Sequence, residues 1–243
     1  MVRGVAYRRL LDAGDPAWRP LIDLYTKVFE EGQRETERAL LQNLVTPRTP
    51  RVGGHLVIVA EGDRAGCVGG VIFSYLPTIN CGYVSYIFVQ PALRDRGIGT
   101  GLLEALRSTL SLEASQCDRG SVRGIFAEIQ RSDRTRDARR SRFRFWERAR
   151  VLPLDLDWRY PPLHSGEPPV PMYLAFGPYG RRRDRWYPED LEGVARAIFD
   201  ATYGYLPSAR ATLTLILANL DRLPRNVPIR YTRPWRPMPA RRH

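Results

Sequence analysis

Hydrophobic and polar positions along this chain alternate with two different periods. Apolar residues recur at helical spacing in PAWRPLIDLYTKVFEE (16–31) and RETERALLQNLV (34–45), which predicts two helices. Asp15 stands at a cap position, with Pro16 at the opening of the first helix. Runs rich in β-branched and aromatic residues predict strands over 4–12 and 82–91, the latter closed by Pro91. Between them, 55–76 reads as two strands around a turn at Gly62-Asp63. A helix striped by Leu102, Leu106 and Leu110 follows. GIFAEIQ (124–130) reads as a short buried strand, and RDARRSRFRFWERA (136–149) as a basic helix whose apolar content is Phe143, Phe145 and Trp146. LPLDLDWRY (152–160) and VPMYLAF (170–176) are two more strands across a Pro-rich connection. After Gly180 the character changes to two helices, 187–203 and 208–223, and then a Pro/Arg tail. The order predicts an α+β sheet domain over residues 1–180 and a helical C-terminal extension over 181–243.

The junction VQPALRDRGIGTGLLEAL (89–106) breaks the pattern, because Gly97, Gly99 and Gly101 open a helix. Glycine costs a helix about 1 kcal/mol relative to alanine. A dinucleotide fingerprint fails, since its third glycine would fall on Leu102, and the Gly-Lys-Ser/Thr of a phosphate loop is absent. Two readings remain. Bare amides at a helix N-terminus, with Arg94 and Arg96 ahead of them, suit a diphosphate. Alternatively, the glycines permit tight packing of helix on sheet.

The stretch IFVQPALRDRGIGTGLLEAL resembles the coenzyme A-binding signature of the GNAT N-acetyltransferase superfamily. Ile87, Phe88 and Val89 match the strand end, Pro91 the proline, and Arg94 to Gly99 the R/Q-x-x-G-x-G/A loop. The resemblance implies a mixed, mostly antiparallel central sheet flanked by helices, and it does not extend to 181–243. It also implies acetyl-CoA as co-substrate and transfer to a primary amine by direct attack through a tetrahedral intermediate. The amides of Arg94, Asp95, Arg96, Gly97, Ile98 and Gly99, with Thr100, would hold the pyrophosphate. The backbones of Phe88 and Val89 would pair with the pantetheine arm. A free amide at this strand end would polarise the acetyl carbonyl.

An amine acceptor is protonated at neutral pH and needs a base. Glu128 is the only charge in an apolar strand, where partial burial would raise its pKa. FAEIQRSD also resembles the LEVRxSN stretch of ribosomal-protein alanine acetyltransferases, which sets Glu128 at the base and Asp133 at a coenzyme-binding asparagine. An ion pair with a neighbouring arginine is the structural alternative for Glu128. One departure stands out: Trp146 replaces the tyrosine that can protonate the thiolate, and indole is no acid. Tyr83 and Tyr86 flank Ser85 and are candidates to line the acceptor pocket. His55 and His164 receive no catalytic role.

Composition narrows the rest. Hydrophobic content of 43% and charged content of 26% across 243 residues fit a globular protein. Without an apolar N-terminal region or an apolar run near the ~20 residues of a membrane span, the expectation is cytoplasmic. Cys67, Cys81 and Cys117 have neither disulfide nor zinc spacing, and no metal is expected. The net charge is +12, with Lys27 the single lysine. Arginine clusters over 131–150 and 222–243 leave an RNA- or ribosome-binding tail as an alternative, not favoured over a solvated basic surface. A non-catalytic acyl-CoA-binding regulator is the other alternative. The acidic run with Glu30, Glu31, Glu35 and Glu37 reads as a helix surface that could also draw in a cationic amine. The acceptor, small molecule or protein, stays open, as does oligomerisation.

Overall fold

The computed structural model describes residues 4–45, 55–63, 66–131, 136–163, 166–180 and 185–232. Among them, eight strands form one mixed, mostly antiparallel sheet. In chain order the elements are β1 (Val5–Leu10), α1 (Trp18–Val28), α2 (Glu37–Val45), β2 (His55–Gly62), β3 (Gly66–Leu76) and β4 (Cys81–Val89). Then come α3 (Ile98–Gln116), β5 (Gly124–Gln130), α4 (Arg136–Arg148), β6 (Leu152–Pro153), β7 (Trp158–Tyr160), β8 (Val170–Pro178), α5 (Pro188–Ile198) and α6 (Ala209–Asp221). The sheet runs β1-β2-β3-β4-β5-β8-β6, with β7 also on β8. Only β4 and β5 pair in parallel.

Strand alternation divides the molecule into two faces. Ile125, Ala127 and Ile129 of β5 point with Val84 toward α3, whose Leu102, Leu106 and Leu110 are wholly buried there. Phe126 and Tyr83 point to the opposite face. That face carries α1, through Trp18, Leu21, Ile22 and Tyr25, and beside it the C-terminal helices. Leu191, Val194, Ile198 and Ile216 of α5 and α6 share one apolar cluster with Phe126, Leu174 and Phe176 of the sheet. The C-terminal helices therefore cover sheet that would otherwise be bare apolar surface.

Three details depart from simple pattern reading. α1 starts at Trp18, two residues late, because the Asp15 carboxylate is held by Arg8 while still accepting the Ala17 N–H at 2.9 Å. The run 152–160 is two short strands, since between them Asp155 gives its N–H to the carbonyl of Arg230 at 2.8 Å. The tail is thus laid over the body as far as Thr232. Finally, β4 bulges at Ser85: Ile72 faces Tyr86 while Phe73 faces Val84. Uniform alternation would send Tyr83 and Tyr86 to opposite faces, but the extra residue puts both on the α1 side.

Candidate active site

A groove of about 2000 Å³ runs from the start of α3 to the gap between β4 and β5. At one end stands the glycine loop. Residues 94–97 and Thr100 are exposed, while Ile98 anchors the helix in the core. Among the described residues, no backbone acceptor takes the N–H groups of Asp95 through Thr100; the ladder begins with Gly101 bonding back to Gly97. A row of free donors at the positive end of a nineteen-residue helix is an anion site. Arg94, Asp95, Gly97, Ile98, Gly99 and Thr100 line the groove, as do Ile87, Phe88 and Val89; Arg96 is exposed outside it. Asp133 lies outside the described residues.

The three glycines answer to three causes. Gly97 takes φ +84°, a left-handed turn into the helix. A Cβ on Gly99 would come within 2.9 Å of the Phe145 ring, and one on Gly101 would collide with the Tyr7 ring. Close packing therefore explains two of them. The anion site rests on the unpaired amides instead, which Phe145 flanks without burying the loop.

At the other end the sheet opens. β4 pairs with β5 only from Gly82–Ile125 to Val84–Ala127. Beyond that, β5 continues against β8, and the edge of β4 from Ser85 to Val89 faces the groove with no strand partner among the described residues. Glu128 is the first β5 residue past the parting. Its Oε1 accepts the indole N–H of Trp158 at 2.5 Å, and its Oε2 accepts the Tyr203 hydroxyl at 2.6 Å. The Tyr83 hydroxyl lies 2.6 Å from that of Tyr203, whose proton is already committed to Glu128, so Tyr83 is the donor. Burial pushes the Glu128 carboxyl up to about 7, opposed by the donors Tyr203 and Trp158. Its partners are therefore hydroxyl and indole donors, and among the described residues it forms no ion pair with an arginine.

Tyr203, Trp158 and Tyr160 have no counterpart in the sequence reading. Tyr203 ends a π-helical turn, Phe199–Tyr203, which continues α5. Such turns are uncommon and concentrate at functional sites; here it delivers a hydroxyl to a carboxylate 75 residues earlier. The alternation of β7 and the odd spacing at the end of α5 carry no local sign of this meeting. Trp146 is buried in the α3-side core, its ring T-shaped to Phe145 at 5.1 Å. His55 is buried, and His164 lies outside the described residues. Among the described residues no three His, Cys, Asp or Glu side chains gather as metal ligands, and no helix is long and apolar enough to cross a membrane.

The model of the acetyltransferase (GNAT) family matches residues 18–120. Among solved structures, the chain is similar to a Bacteroides thetaiotaomicron protein assigned to the GNAT family, at 20% identity and a TM-score of 0.58 over 82% of this chain and 98% of that one. It is also similar to IAA acetyltransferase from Bacillus cereus, at 16% identity and a TM-score of 0.46 over 72% and 99%. A third is the ribosomal-protein-S18-alanine N-acetyltransferase of Escherichia coli, at 13% identity and a TM-score of 0.47 over 75% and 99%. No curated protein matches in sequence.

Proposed function

We propose that this chain, with its GNAT acetyltransferase domain over residues 18–120, is an N-acetyltransferase that uses acetyl-CoA as donor and a primary amine as acceptor. The observation that carries the reading is the position of Glu128. It stands where β4 and β5 part, in the same groove as the unpaired amides of α3.

Acetyl-CoA supplies an acetyl group activated as a thioester. The amides of Asp95 to Thr100 and the Arg94 guanidinium suit its pyrophosphate. The unpartnered edge of β4 suits an extended arm bonded as an added strand. Glu128, with a pKa of about 7, is divided between acid and base near neutrality, the condition in which a general base works best. It takes the proton of the acceptor nitrogen as that nitrogen attacks the carbonyl. Tyr203 and Trp158 fix the carboxylate's orientation. The thiolate leaves without a dedicated acid, because a thiol pKa near 8.5 makes it a good leaving group. A buried Trp146 is consistent with that.

The test is release of free thiol from acetyl-CoA in the presence of a panel of primary amines, with mass analysis of the products. The expected result is amine-dependent release that rises with pH through about 7, the limb vanishing in Glu128→Gln. Amine-dependent release that is equal in Glu128→Gln would overturn the assignment of the base.

A further inference from the structure

A second carboxylate lies behind the acceptor end of the groove, and base catalysis makes no use of it. Glu35, in the turn before α2, is 2% exposed. Its Oε2 receives Asn43 Nδ2 at 3.5 Å, but its Oε1 has no hydrogen-bond partner. Among the described residues only His55 comes within ion-pair distance, at 3.8 Å. Asn43 Nδ2 also lies 3.3 Å from the His55 Nε2, and the ring's Nδ1 lies 3.3 Å from Ser74 Oγ. Glu35 is thus a buried carboxyl group with one oxygen unsatisfied among the described residues, a costly state for a folded protein to keep.

Its surroundings are rich in tyrosine hydroxyls. Among the described residues those of Tyr160 and Tyr205 are buried with no hydrogen-bond partner within 3.5 Å, Tyr160 standing near Tyr86 and Tyr205 near Glu35. Burial, then the neighbouring Glu35 carboxyl through its charge and a long hydrogen bond, push the Tyr205 hydroxyl up. The Tyr160 ring stands edge-on to Tyr203 at 5.2 Å, so this cluster adjoins the donors of Glu128. Tyr160 and Tyr86 line the groove. Tyr86 accepts the Glu35 N–H at 3.1 Å, and Tyr25 donates to the Glu35 carbonyl at 3.3 Å, which pins this carboxylate next to the groove wall. One anionic oxygen and two hydroxyl oxygens match the three N–H donors of an ammonium, and tyrosine faces add cation–π attraction. The exposed Glu30 and Glu31 stand next to the groove-lining Gly32 and Gln33.

We propose that the acceptor is an amine bearing a second positive charge: Glu35 receives the charged nitrogen while Glu128 deprotonates the one that is acetylated. This rests on the N-acetyltransferase reading above. The experiment compares α,ω-diaminoalkanes with n-alkylamines of matched length, by kcat/KM and by calorimetric binding. The diamine should be preferred by on the order of tenfold to a hundredfold, the scale of one charged hydrogen-bonded contact. Glu35→Gln should bring that ratio to about one, and Tyr205→Phe, which keeps the carboxylate, should lower it part way. A ratio near one in the parent enzyme, or an equal loss for both amine types in Glu35→Gln and Tyr205→Phe, overturns the proposal. If no amine is acetylated, the transferase reading fails by itself. Calorimetry then decides the inference: diamine binding that is lost in Glu35→Gln upholds it, and absence of binding by the parent protein defeats it.

Discussion

The two ends of the groove are built from different materials. The end proposed for the donor is contiguous main chain: residues 95–100, whose amides have no backbone acceptor among the described residues. The end proposed for the acceptor is made of side chains from distant segments: Glu128 on β5, Trp158 and Tyr160 on β7, Tyr203 on the π turn and, behind them, Glu35 before α2. The donor end presents the same bare donors to any diphosphate, whereas the acceptor end depends on hydrogen bonds made one at a time. A feature common to many chemistries can be local and repetitive. A feature that selects one partner is assembled by the whole fold.

That contrast can be broken at either end. Glu128→Gln should lower kcat/KM for amine acetylation by about a hundred- to ten-thousandfold while leaving calorimetric affinity for coenzyme A intact. Gly99→Glu should do the reverse and weaken coenzyme A by about a hundredfold, because it sets a carboxylate among the amides proposed to hold phosphate. Gly99→Ala is the control: its Cβ meets only the Phe145 ring edge, at 2.9 Å, and binding should change far less. Tyr203→Phe removes one donor to the carboxylate, so the midpoint of the pH–rate limb should rise from about 7 by roughly one unit. A carbon-detected NMR titration of Glu128 should show the same displacement.

Two smaller effects separate structure from chemistry. Gly101→Ala collides with the Tyr7 ring and should cost about 1–3 kcal/mol in denaturant unfolding, with kinetics untouched. Glu128→Gln should also change stability with pH. Burial lifts the folded-state pKa from 4.5 to about 7, so between those values the folded chain keeps a proton that the unfolded chain has lost. The cost of burying the charge is absent below about 4.5, grows across that window and is complete above about 7. The Tm advantage of the glutamine variant should therefore be largest near pH 8 and shrink toward pH 5.

The sequence reading follows the same division. The donor end was legible because one strand, one proline and one loop carry it within residues 87–100. Most elements were legible for a similar reason: Leu102, Leu106 and Leu110 declare a face, and GIFAEIQ declares a strand. Glu128 stands out in the sequence as a lone charge among apolar neighbours. Tyr203 and Trp158 were not found, since each looks like an ordinary core aromatic until the chain closes around β5. Tyr86 shows the limit within a single strand, because one bulged residue at Ser85 reverses the face that counting assigns. Glu35 reads as a surface acid in a helical run and is among the most enclosed charges in the molecule.

The π turn has a consequence for how such a protein can be altered. Because Tyr203 enters from the far end of the chain, the acidity of the Glu128 carboxyl can be reset without editing the strand that bears it. Exchanging the segment that follows β8 for one with a different hydrogen-bond donor, or none, would shift that carboxyl while the glycine loop stays as it is.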